Sequence, residues 1–378
     1  MSEVRGSASL RKRLPLWKRG LFALVGSILA LALLEGLCAG VWTVVGLIAA
    51  VSRSEQVQTL KEDSHCQYDA EIGWRNVPET QIKDFYGTGR TLTINADGVR
   101  GTDPDTSLMG QPSRYRIICL GDSFTLGYGV DDRNTFPYLL GQTSPKIETV
   151  NMGQGGYSVG QSYLWLKQQG RSFSPDLVVA VFIYEDFQRL AVTRTVNGYA
   201  TPKFDVQHDR LVVSNQPVPE RLPAGEDLPH QVQIGQTLVE HSSLARTIAW
   251  TFPHQDTTDD SQLIFVGGHI ILEMKALCEE WGCPFVLVLI PTIPDLHDSV
   301  QVTDYRMTAL NLENFAKLHQ IPFLDLQRIF VERRLLGDKL FLTDDPFRHY
   351  SATGNALVAE QLSQWLPFVV PDYPPVDQ

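Results

Sequence analysis

Cysteine is scarce in this chain: five residues among 378, at positions 38, 66, 119, 278 and 283, with no Cys-x-x-Cys pair. Only Cys66, Cys278 and Cys283 are placed to pair, so no disulfide framework is predicted, and the spacing offers no zinc or other metal site. Positive charge is scarce too. The formal net charge is −11, and without the first 20 residues, which carry a net of +5, the remainder stands at −16. An acidic body with no basic stripe argues against nucleic acid as a partner. No internal repeat is evident. At 43% hydrophobic and 20% charged, the composition suits one large globular domain with something smaller attached.

The smaller part stands at the amino end. Arg5, Arg11, Lys12, Arg13, Lys18 and Arg19 face one acid, Glu3, within residues 1–20, a basic tail. Leu21 to Val51 is then apolar throughout except for Glu35, a run of 31 residues, where roughly 20 span a bilayer. Leu21–Leu34 alone would serve as the core of a cleaved signal peptide, with small residues at Cys38-Ala-Gly. The apolar run outlasts that pattern, so residues 21–51 read as a single-pass signal anchor. The basic flank predicts a cytoplasmic amino end, with the rest across the membrane, in the periplasm or at the cell surface. Glu35 in mid-span costs about 2.5–3.5 kcal/mol on insertion scales. It is expected either to pair with another helix or to slide toward an interface.

Residues 52–113 read as a polar stalk and a small β-rich flap. Tyr68-Asp-Ala-Glu-Ile-Gly-Trp-Arg and Thr91-Leu-Thr-Ile-Asn-Ala-Asp-Gly-Val-Arg100 carry short alternating runs and turn signals. From residue 114 to 368, apolar strands alternate with helical patterns, which predicts βαβ units and a parallel sheet. The strands fall at Tyr115–Leu120, Ile147–Asn151, Leu177–Ile183, Pro284–Ile290 and Ile321–Asp325. Helices fall at about 134–143, 158–170, 265–281, 303–319 and 352–365. Residues 192–262 break this rhythm and read as an insertion, with a hairpin around Lys203–Val213. It is too long for an ordinary loop and is a candidate lid. Residues 369–378 form a tail.

The chemistry is expected where the first strand ends in Gly121-Asp122-Ser123. A hydroxyl there sits at the carboxyl end of a sheet, where α/β folds keep their sites. The pattern is not the Gly-x-Ser-x-Gly elbow of the α/β-hydrolases. A serine hydroxyl needs a base, and His349, within Asp344-Asp345-Pro-Phe-Arg-His349-Tyr-Ser-Ala-Thr-Gly354, is the best candidate. Asp345, four residues earlier, is favoured to orient the imidazole. Asp344 or a backbone acceptor are the alternatives.

Together the Gly-Asp-Ser and His349 segments resemble the first and last blocks of the SGNH (GDSL-type) hydrolases, in their membrane-attached bacterial form. The leader Gly-Trp-Arg followed by Asn-x-Asp-Gly-x-Arg resembles the one preceding the Gly-Asp-Ser block in those proteins. The resemblance implies a three-layer α/β/α sandwich on a five-strand parallel sheet (flavodoxin-like), with no cofactor. It implies Ser123 as nucleophile, His349 as base, and an oxyanion hole from the backbone N–H groups of Ser123 and Gly156. Gly156 lies five residues after Asn151, as in the second block.

The third block departs. Where the family has Gly-x-Asn-Asp after the central strand, this chain has Tyr184-Glu185-Asp186, so Glu185 stands at the third oxyanion donor. An ionised Glu has no donor to give, whereas a carboxyl with a raised pKa would donate as an acid. The expected function is an extracytoplasmic serine esterase acting on a small or glycan-linked ester. The alternatives are an O-acyltransferase on an extracytoplasmic glycan and an impaired carbohydrate- or lipid-binding relative. Pro294-Asp295-Leu-His297-Asp298 reads as a polar loop at the cleft mouth, with an alternative base or a metal-ligand pair as the other reading, and His269 with Glu273 as a surface salt-bridge pair in preference to a metal pair.

Overall fold

A computed structural model describes residues 15–53, 64–109, 114–192, 199–220, 242–244, 260–296, 300–345 and 348–375. The chain divides into two compact units, residues 1–56 with 225–256, and residues 57–224 with 257–378.

The first unit holds helix α1 (Leu16–Arg53). Its stretch Trp17–Val41 is long and apolar enough to cross a membrane. Leu, Val, Ile and Phe side chains stand exposed along it, with no polar face to set one side against water. Glu35 lies within this helix. Its carboxylate accepts hydrogen bonds from the Ser242 hydroxyl (2.8 Å) and from the backbone N–H groups of Ser243 (2.5 Å) and Leu244 (3.1 Å). Most of the expected stalk, residues 54–63, lies outside the described residues.

The second unit opens with a flap of two antiparallel pairs, β1 (Cys66–Asp69) with β2 (Gly73–Asn76), and β3 (Thr80–Ile82) with β4 (Leu92–Ile94). The main sheet follows: β5 (Tyr115–Gly121), β6 (Ile147–Gly153), β7 (Leu177–Phe182), β10 (Phe285–Leu289) and β11 (Phe323–Asp325). All its pairings are parallel, in the order β11-β10-β7-β5-β6. This is the doubly wound order in which the second strand of the sheet is added on one side and the rest on the other. The switch point falls between β5 and β7, where such sheets bind ligands.

The helices between the strands are α2 (Ser123–Leu126), α3 (Phe136–Gly141), α4 (Val159–Gln169), α5 (Tyr184–Gln188), α6 (Asp260–Trp281), α7 (Val300–Leu318), α8 (Gln327–Leu335) and α9 (Ala352–Val369). Strand residues alternate between two cores. Ile118, Leu120, Val178, Ala180, Leu287 and Leu289 pack with residues of α4, α6 and α7. Ile117, Cys119, Val179, Val181, Val286 and Val288 pack with α3, α8 and α9. Both faces are therefore covered, which is why the strands read as unbroken apolar runs.

The five expected strands and helices are present, with two differences. Helix α6 starts five residues before the expected 265. Three helices lie outside the expected set, the short α2 and α5 and the longer α8, whose sequence is charge-rich and whose N-cap, Leu326, makes no side-chain hydrogen bond. Within the insertion, β8 (Lys203–Gln207) pairs with β9 (Arg210–Ser214) as the expected hairpin. Its turn residues His208 and Asp209 both have positive φ, as a two-residue hairpin turn requires. The hairpin packs on the α4–α6 side through Phe204, Val206, Leu211 and Val213. Of the remaining insertion, residues 193–198, 221–241 and 245–259 lie outside the described residues.

Candidate active site

Strand β5 ends at Gly121 because the backbone of β7 passes too close for any side chain. A Cβ there would lie 2.3 Å from the Val181 carbonyl and 2.3 Å from Thr125 Oγ1. Asp122 then caps α2, its carboxylate accepting from the Phe124 N–H at 2.9 Å, so Ser123 is the first residue of the helix. The chain between β11 and α9 brings His349 to it. Ser351 caps α9 and Asn355 accepts from the Phe136 N–H at 3.0 Å, tying this segment to α3.

Ser123 Oγ lies 2.8 Å from His349 Nε2, and His349 Nδ1 lies 2.5 Å from Asp345 Oδ2. The Asp345 carboxylate also accepts from the His349 backbone N–H at 2.6 Å. A carboxylate only accepts, so the imidazole proton belongs on Nδ1 and leaves Nε2 free to take the serine proton. All three residues are buried. Asp344 points elsewhere, pairing with Arg90 at 2.7 Å. The rings of Phe124 and Tyr128 flank the imidazole, at centroid distances of 4.8 and 5.3 Å. Tyr128 is in turn 3.4 Å from Nε2 of the buried flap residue His65.

The flap braces both loops that meet at Ser123. The Arg100 guanidinium, buried, pairs with Asp132 (2.9 Å) and donates to the carbonyls of Leu126 (2.9 Å), Gly127 (2.6 Å), Val130 (2.7 Å) and Thr91 (3.0 Å). It thereby holds the turn that follows α2. Trp74 Nε1 donates to the Gly155 carbonyl at 3.1 Å, and the Tyr157 hydroxyl donates to the Trp74 carbonyl. Trp74 thus packs against the turn at Gly156, which has φ +73°, a conformation glycine takes without strain. The leader Gly-Trp-Arg and Asn-x-Asp-Gly-x-Arg signals were visible in the sequence. What they hold was not.

Glu185 lies in the first turn of α5, just beyond the end of β7 and beside the β5 end that carries Ser123. It is part-buried. Its Oε1 is 3.3 Å from Thr292 Oγ1, and its Oε2 is buried with no hydrogen-bond partner. Around it stand Asp122, Asp186 and Asp295, all buried. Arg189 is the cation here, and it pairs with Asp122 at 3.0 Å and with Asp186. Burial pushes the Glu185 pKa up; its own backbone hydrogen bond and the Arg189 charge oppose this, and the Asp122 charge adds to it. Burial, with the charge of Asp122, raises Asp186 as well. Burial and then the charge of Glu185 raise Asp295 to about 7.

The other candidate sites are not assembled among the described residues. His269 Nδ1 faces the Phe265 carbonyl at 3.0 Å, while Glu273 accepts from the Tyr163 hydroxyl at 3.5 Å. His297 and Asp298 lie outside the described residues. Among the described residues, no group of three or more His, Cys, Asp or Glu is placed to hold a metal ion.

No family model and no curated relative matches the chain. Solved structures similar to it include a member of the lipolytic protein G-D-S-L family from Veillonella parvula DSM 2008, at 15% identity, covering 67% of this chain and 98% of that one with a TM-score of 0.36. An acetyl xylan esterase is 17% identical, covering 67% of this chain and 100% of that one, with a TM-score of 0.40. A catalytic mutant of an acetylxylan esterase from Geobacillus stearothermophilus is 13% identical, covering 68% and 95%, with a TM-score of 0.38. Similarity this distant leaves the functional reading to the geometry of the site.

Proposed function

We propose that the protein is a membrane-anchored serine esterase of the SGNH type, acting on a small or glycan-linked ester. The observation that carries this is the unbroken path from Ser123 Oγ to His349 Nε2 at 2.8 Å and from His349 Nδ1 to Asp345 at 2.5 Å. In this reading Ser123 Oγ attacks the ester carbonyl carbon and His349 Nε2 takes its proton. Asp345 stabilises the resulting imidazolium. His349 then protonates the leaving alcohol, and an acyl-Ser123 remains for water to hydrolyse with His349 as base. The backbone N–H groups of Ser123 and Gly156 are the oxyanion donors. Helix α1 would hold this chemistry outside the cytoplasm, given the basic residues on its amino side.

The test uses the full-length chain in detergent. A fluorophosphonate is expected to label the parent once per chain and to leave Ser123→Ala unlabelled. Turnover of a short-chain ester is expected to fall by about 10⁵–10⁶ in that variant, as for a lost nucleophile in other serine hydrolases. Labelling or turnover that survives Ser123→Ala would overturn the mechanism. Acyl groups that pass to added glycan in preference to water would make the enzyme a transferase using the same serine.

A further inference from the structure

The three hydrogen-bonding groups at Glu185, Thr292 and Asp295 do not have enough protons unless one carboxyl is an acid. The Thr292 hydroxyl has a single hydrogen, and two carboxylate oxygens lie in reach, Asp295 Oδ2 at 2.7 Å and Glu185 Oε1 at 3.3 Å. Asp295 Oδ2 also accepts from the Thr292 N–H at 2.6 Å. Two short donors favour the charge on Asp295, and the hydroxyl hydrogen therefore points there. Beyond its own backbone N–H, Glu185 receives no comparable donor among the described residues, and its Oε2 is buried without one. A buried carboxylate oxygen in that state would carry a desolvation cost that protonation removes.

The carboxyls facing Glu185 work in the same direction, and the Arg189 charge opposes them. From the β5 end comes the Asp122 carboxylate, and from the loop after β10 comes Asp295. From its own helix come Asp186 and Arg189, the guanidinium already engaged by Asp122 and Asp186. Tyr350, whose phenol donates to the Pro291 carbonyl at 2.5 Å, is a neutral neighbour. Four carboxyls around the one cation among the described residues, Arg189, cannot all be ionised cheaply in a buried site.

We propose that Glu185 is held as a neutral carboxylic acid and is a catalytic residue, donating its O–H hydrogen bond to the oxyanion that forms at Ser123. This rests on the serine-esterase reading. The position is the one where the resemblance expects an amide side chain, and a protonated carboxyl restores the missing donor. No proton leaves Glu185. As the Ser123 Oγ–carbon bond forms, the serine proton passes to His349 and the carbonyl π pair moves onto the carbonyl oxygen. That oxygen then accepts from the Ser123 and Gly156 N–H groups and from Glu185. The Glu185–Thr292–Asp295 group keeps one proton at neutral pH, and the site works until rising pH removes it.

The experiment compares full-length parent, Glu185→Gln and Glu185→Ala in the kcat for a short-chain ester between pH 5 and 9. In the parent, kcat is expected to fall at the alkaline side as Glu185 ionises. Glu185→Gln, a donor that does not titrate, should keep kcat within about tenfold and lose that alkaline fall. Glu185→Ala should lose roughly 10²–10³ in kcat, the cost of one oxyanion donor. Equal losses in Gln and Ala, or an alkaline fall that persists in Gln, would overturn the inference. An infrared difference spectrum of parent against Glu185→Gln at pH 7 reads the proton directly, independent of turnover. A protonated-carboxyl band lost in the variant supports the proposal, and loss of only a carboxylate band overturns it. Fluorophosphonate labelling of Ser123 in all three proteins separates the two readings. If none is labelled, the esterase reading fails and the donor role falls with it. If all are labelled but kcat ignores position 185, only the donor role fails.

Discussion

Two buried charge networks flank Ser123, and they are built in opposite ways. On the flap side, the Arg100 guanidinium meets one carboxylate and four backbone carbonyls, so donors and acceptors match. On the sheet side, Glu185, Asp186, Asp122 and Asp295 have Arg189 as their cation among the described residues, so carboxylate oxygens outnumber the cationic donors. The first arrangement suits a brace, because every polar group is satisfied only in one geometry. The second suits a proton reservoir, since the cheapest way to satisfy a surplus of buried carboxylates is to protonate one of them. A site that must hold a nucleophile still and offer a donor beside it has use for both.

The largest effect that would break this contrast is expected at Arg100. Arg100→Met keeps the aliphatic stem but strands the Asp132 carboxylate and four carbonyls in a buried site. Removing one partner of such a pair costs about 3–5 kcal/mol, which a urea melt would show as a lower midpoint. Arg100→Lys should recover little of it, because three donors on a flexible stem cannot meet five acceptors in a fork. If Arg100→Met proves as stable as the parent, the flap does not brace the nucleophile turn.

A smaller effect of opposite sign is expected across the site. Burial and the charge of Glu185 raise Asp295 to about 7 from its ordinary 3.8, so the two carboxyls hold one proton between them at neutral pH. The folded protein therefore keeps a proton that the unfolded chain has released, and stability falls as pH rises through the window from about 4 to 7. Asp295→Asn retains an acceptor for Thr292 and removes that dependence. At pH 8 it is expected to be more stable than the parent by about 2–3 kcal/mol, with little difference near pH 4. Parallel urea midpoints at pH 5 and 8 decide it, and an unchanged pH slope would mean that the Glu185–Asp295 pair holds no proton at neutral pH.

How much of this could be read from the chain follows from how local each signal is. The strands were legible because burial on both faces makes them apolar runs, and the β5–Gly121-Asp-Ser123 junction because glycine and a capping Asp are local requirements. Ser123, His349 and Asp345 are brought together, and Asp345 rather than Asp344 meets His349. The Arg100 brace was not legible, since its acceptors at Leu126 to Val130 are backbone carbonyls that carry no residue signature. Nor was the setting of Glu185. Its partner Thr292 and neighbour Asp295 come from the next strand end, more than 100 residues away, and the imbalance of donors exists only once they meet. Helix α8 escaped because it has neither an apolar stripe of the usual width nor a capping side chain.

The smallest effect sharpens the contrast from the flap side. His65 is buried, contacts Asn76 at 3.3 Å and Tyr128 at 3.4 Å, and has its pKa lowered by burial to about 4 from 6.5. The folded state thus refuses a proton that the unfolded chain accepts, so stability is present above about 6.5 and is lost as pH falls through the window down to about 4. His65→Gln, which cannot titrate, should flatten the acid limb, leaving it about 1–2 kcal/mol better off at pH 5 relative to its own value at pH 8. The flap then fails on the acid side and the carboxylate row on the alkaline side. Urea midpoints of parent, His65→Gln and Asp295→Asn from pH 5 to 8 would place the two losses on opposite flanks. If His65→Gln instead altered the alkaline flank, the two networks would be coupled through Tyr128 and His349 and could no longer be treated as separate devices.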